Sequence, residues 1–73
     1  MWLAIMDVND ADKGEVLNPD TGYRIVPKLS NVNGENKRTL RLLDPRGDTV
    51  CEFEGNLQTV INTLDAKPIP KSP

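Results

Sequence analysis

A chain with no histidine and a single cysteine, Cys51, cannot build a Cys/His zinc site and has no second thiol with which to close an internal disulfide. The same shortage removes the usual nucleophile and base pairings. There is no imidazole to activate a hydroxyl or thiol, and the serines are Ser30, in a polar stretch, and Ser72, next to the last residue. Aromatics are as scarce, only Trp2, Tyr23 and Phe53, so a row of stacking platforms for nucleic-acid bases is missing. Charge of one sign is missing too: 9 basic residues stand against 11 acidic ones, a net charge of −2. That is not the basic footprint that reads phosphates, nor a polybasic membrane-surface segment. The longest apolar opening, MWLAIM, is too short to cross a bilayer and lacks the basic leader and cleavage site of a signal peptide. No Asn-x-Ser/Thr acceptor occurs. These absences set the expectation of a cytoplasmic, intracellular protein with no cofactor, no metal and no membrane partner.

What is present fits one small domain. Seventy-three residues, 37% of them apolar, can bury about 60 to 65% of the unfolded surface, enough for a small core and no second domain. The expected division is a globular unit over residues 1–66 and a Pro-rich flexible tail over 67–73, where Pro68, Pro70 and Pro73 favour extended polyproline-like chain.

Trp2 to Met6, with Val8, reads as a first strand that is apolar on both faces and therefore central. Glu15 to Leu17 and Tyr23 to Val26 flank Asn18-Pro19-Asp20-Thr21-Gly22, a hairpin loop in which Pro19 presets φ and Gly22 supplies a positive φ. Pro27 has no donor and should end its strand or lie at a sheet edge. Ser30 to Asn36, with three asparagines, reads as a surface loop. Lys37 to Leu43 and Thr49 to Glu54 form a second hairpin around Asp44-Pro45-Arg46-Gly47-Asp48. Two registers are open for it. One, with a two-residue connection, gathers Leu40, Leu42, Cys51 and Phe53 on one face; the other, with a three-residue loop and a Gly bulge, opposes Leu42 to Val50 and Arg41 to Cys51. The first is favoured because it collects the apolar residues. Beyond Gly55, Asn56 is a good N-cap, and Leu57, Val60, Ile61 and Leu64 recur on one face of a helix of about ten residues that ends before Pro68.

The fold expected is α+β and mainly β: about five short antiparallel strands in a twisted sheet or small open barrel, with one C-terminal helix. Its core should comprise Leu3, Ile5, Val16, Ile25, Leu40, Leu42, Cys51, Phe53, Leu57, Val60, Ile61 and Leu64.

Candidate sites reduce to contact surfaces. The acidic run at Asp7, Asp10 and Asp12 fails the spacing of a calcium loop, because Ala11 or Gly14 falls where a fifth-position ligand belongs. Arg46-Gly47-Asp48 spells an adhesion tripeptide, yet the same residues are what a Pro-containing turn requires. Lys67, Pro70 and Pro73 match a basic-x-x-Pro-x-x-Pro spacing, which plain proline-rich ends also show. Asp7, Asp10, Asp12 and Glu15 in front, with Lys28, Lys37, Arg38 and Arg41 behind, are the residues expected to meet a partner. That partner is expected to be another protein rather than nucleic acid. By exclusion, the function expected is a non-enzymatic regulator or inhibitor that occupies the surface of a larger protein machine. Its most specific form is a viral, phage-type regulator of a host enzyme such as RNA polymerase. A small β-barrel that binds nucleic acid and a structural accessory subunit of a larger assembly are the alternatives.

Overall fold

The computed structural model describes residues 1–6 and 13–70. The elements run β1 (Leu3–Met6), β2 (Glu15–Leu17), β3 (Arg24–Val32), β4 (Glu35–Leu43), β5 (Thr49–Glu54), α1 (Leu57–Leu64) and β6 (Lys67–Pro70). They form one open sheet in the order β5-β4-β3-β2-β1-β6, antiparallel throughout except for β1 and β6, which are parallel. The protein is thus α+β and mainly β, as expected, with six strands in one open sheet among the described residues. From β5, at one edge, the chain crosses a face of the sheet as α1 and adds β6 at the other edge. A parallel partner can be reached only by such a crossover.

That crossing decides which side chains form the core. Pairing of Ala4 with Val16, Val16 with Ile25 and Ile25 with Leu42 places one residue from each of β1 to β4 in a row on the helix side. Ala4, Val16, Ile25, Leu40, Leu57 and Ala66 are buried, with Trp2, Met6, Leu42, Val60, Ile61 and Leu64 packed against them. Leu3 and Ile5, expected in the core, point to the opposite face and are half-buried there. Both phases of β1 are apolar, so alternation alone does not choose between them. Register chooses, and it sets small Ala4 where the chain returns from α1 through Ala66. Cys51 and Phe53 are the other corrections: both lie on the helix side of β5, opposite Leu42 and Leu40, yet both are exposed because α1 leaves the outermost strand uncovered.

The first hairpin closes as its sequence requires, with Gly22 at φ +84° and its amide donating to the Asn18 carbonyl at 2.7 Å. The turn is capped by Asn18, whose side chain accepts from the Asp20 amide at 3.0 Å, while the Asp20 carboxylate takes the N-terminal ammonium at 2.9 Å. Ser30 to Asn36 is not a loop. β3 and β4 continue through it and turn at Asn33 and Gly34, with φ +54° and +80°, the geometry that Asn-Gly favours in a tight hairpin. Pro27 neither ends its strand nor lies on an edge strand. It pairs with Leu40 on one side, and on the other β2 reaches only as far as Ile25, so its missing donor interrupts no observed pairing.

The second hairpin combines both expected registers. Its loop is Pro45-Arg46-Gly47, closed by the Asp44 amide to the Asp48 carbonyl at 2.9 Å with Gly47 at φ +91°, and Leu43 stands opposite Thr49. A bulge at Val50 then shifts the pairing by one residue, so Leu42 meets Cys51 and Leu40 meets Phe53. Helix α1 begins under an Asn56 cap and ends earlier than Pro68 requires, because Asp65 adopts a left-handed conformation and the Ala66 amide donates back to Ile61 at 3.0 Å. Lys67–Pro70, expected to open a flexible tail, is extended but paired with β1, its first amide donating to the Trp2 carbonyl at 2.9 Å.

Candidate functional site

Four of the five described residues expected to meet a partner are brought to one face by this fold. Asp7, Asp10 and Asp12 lie outside the described residues. Glu15, Lys28, Lys37 and Arg41 share the face that α1 leaves bare, whereas Arg38, opposite Leu29, is on the helix side. On the bare face Glu15 pairs with Arg24 at 3.7 Å, and Arg41 with Glu52 at 3.3 Å. Glu52 also accepts from the Thr39 hydroxyl at 2.9 Å. These bonds, with the nearby charges of Lys28 and Arg41, hold the Glu52 carboxyl below the usual glutamate range, the Thr39 bond being the largest cause. The basic side chains on this face are interspersed with carboxylates, and half-buried Leu3, Ile5, Leu17, Val26 and Leu43 lie among them.

An open cleft of about 610 Å³ lies between α1's start and the β3–β4 hairpin, lined by Pro27, Leu29, Arg38, Leu40, Leu57 and Gln58 among others. No carboxylate, hydroxyl nucleophile other than Thr39, or thiol lines it among the described residues. Nor do those residues group three His, Cys, Asp or Glu side chains in a way that could hold a metal. Among the described residues no helix is long and apolar enough to cross a membrane.

The two sheet edges differ in a way that bears on contact. In β6 the Lys67 amide faces β1, so by alternation the amide of Ile69 faces inward and residues 68 and 70 face outward. Both outward residues are proline, which leaves that edge without outward N–H donors over this stretch. The β5 edge has no such protection: Thr49–Glu54 contains no proline, pairs only with β4 among the described residues, and is exposed along its whole length. Val50 is 54% exposed and Phe53 36%. A partner strand laid beside β5 would find free backbone groups together with apolar side chains. The signal for this in the sequence was Phe53, which the helix-side alternation correctly placed on the core face but which only the path of α1 could show to be uncovered.

No protein-family model, no curated protein and no solved structure matches the chain.

Proposed function

We propose that this protein is a non-enzymatic binding module that regulates a larger protein by accepting one of its extended segments as a seventh strand beside β5. The observation that carries this reading is the contrast between the two edges, one blunted by prolines and the other open and bearing exposed Val50 and Phe53. Strand addition draws affinity from main-chain hydrogen bonds and specificity from alternate side chains, so it suits a small domain with an open sheet edge. The charge balance and the pairing of Arg24 and Arg41 with carboxylates support a protein partner over a phosphate backbone.

The test is retention of partners by the immobilised protein and by a Val50→Lys/Phe53→Lys variant, with the fold of the variant checked by circular dichroism. Both positions are exposed, so the variant should fold. A protein retained by the parent and lost by the variant is expected. Equal retention by both, or none above a control bait, would overturn strand addition at β5.

A further inference from the structure

We infer that the segment added to β5 alternates cationic with aliphatic residues, its cations facing Glu52 and Glu54 and its aliphatic side chains facing Cys51 and Phe53. This deepens the strand-addition reading and rests on it. The chemistry is already displayed on the inner side of β5, where β4 supplies Arg41 opposite Glu52, Leu42 opposite Cys51 and Leu40 opposite Phe53. A strand on the outer side meets the same alternation of β5 side chains, because neighbours on either side share its two faces. Glu54 strengthens the preference for cations. It stands opposite uncharged Thr39 and has no ion pair among the described residues, whereas Glu52 already has Arg41.

The same carboxylates argue against a second copy of this chain as occupant. In an antiparallel two-fold pairing of β5 with itself, directly opposite residues must share a face. The two registers centred on this acidic stretch set Glu52 against Glu52, or Glu52 against Glu54, of the other copy. Like charges directly opposite destabilise a strand pair. Glu52 and Glu54 therefore keep the open edge from closing on itself while leaving it receptive to a segment of opposite charge.

The probe is the fluorescein-labelled peptide Lys-Arg-Thr-Leu-Arg-Leu-Leu, the sequence of residues 37–43, titrated into the full chain and followed by anisotropy. Comparison peptides carry glutamate in place of every Lys and Arg, or the original composition with the alternation scrambled. The basic alternating peptide should bind about fivefold more tightly than either comparison, as one opposite-charge pair of up to about 1 kcal/mol allows, the peptide's second arginine standing against Glu52 as Arg41 does in β4. In a Glu52→Lys/Glu54→Lys variant the preference should reverse toward the acidic peptide. An unchanged preference in that variant, or equal binding of the alternating and scrambled peptides, overturns the inference. A dimer in sedimentation at the titration's protein concentration also overturns it. Strand addition itself is judged separately, by whether Val50→Lys/Phe53→Lys abolishes partner retention.

Discussion

Gly22 runs so close to Pro45 that a β-carbon on it would stand 3.0 Å from the proline Cβ, which brings the tips of two hairpins into contact. Gly22→Ala should therefore cost about 2 kcal/mol, combining a positive φ with an overpacked contact. Gly34→Ala has the same kind of φ but nothing within 4 Å of the added carbon, so about 1 kcal/mol is expected from backbone conformation alone. Urea denaturation of the two variants measures the difference. Equal losses would mean that the hairpin tips do not touch in solution.

Leu40 and Cys51 separate the covered part of the sheet from the uncovered part. Leu40 is 1% exposed, and Leu40→Ala should lose about 2 to 5 kcal/mol by leaving a cavity under α1. Cys51, on the same face but outside the helix's reach, should tolerate serine within about 0.5 kcal/mol. Comparable losses at the two positions would place α1 over β5.

Asn56 Oδ1 accepts both the amide and the hydroxyl of Thr59 at 2.9 Å. Asn56→Ala should cost about 1 kcal/mol, and Asn56→Asp, an equally good cap, only a few tenths. Thermal unfolding of the two variants decides it, since a nonspecific surface change would not distinguish alanine from aspartate.

Glu52 sets a pH dependence. Its carboxyl is held below the ordinary glutamate range, so its bonds to Thr39 and Arg41 favour the folded state above that range and are lost as pH falls through the lowered value. Following the side-chain carboxyl by NMR should show titration below that of an exposed glutamate. Thr39→Val should move it up, because the hydroxyl is the largest cause. No movement would mean that the bond is not formed.

Much of this architecture was legible. The first hairpin, the Asn56 cap and the helix face Leu57, Val60, Ile61 and Leu64 follow from local chemistry, and the structure has them all. Three features were not, for separate reasons. Asn33-Gly34 is a hairpin turn by its own chemistry, but polar Ser30 to Asn36 shows no apolar alternation because that end of the hairpin extends past the core. The phase of β1 was hidden by its being apolar on both faces. β6 was hidden because Pro68 and Pro70 argue against a strand, and they are accommodated only because both fall on outward-facing positions of an edge. As to the site, strand β5 was legible as a strand, but its exposure depends on where α1 crosses, which is a tertiary property. Of the charged residues favoured by sequence, strand alternation keeps Glu15, Lys28, Lys37 and Arg41 on one face and sends Arg38 to the other.

Backbone amide exchange along β5 tests strand addition most directly. In the free protein the outward amides of Thr49–Glu54 should exchange rapidly, and on binding the residue 37–43 peptide they should become protected while α1 and β3 stay unchanged. Protection gained along β3 or α1, with β5 still exchanging freely, would contradict strand addition at this edge.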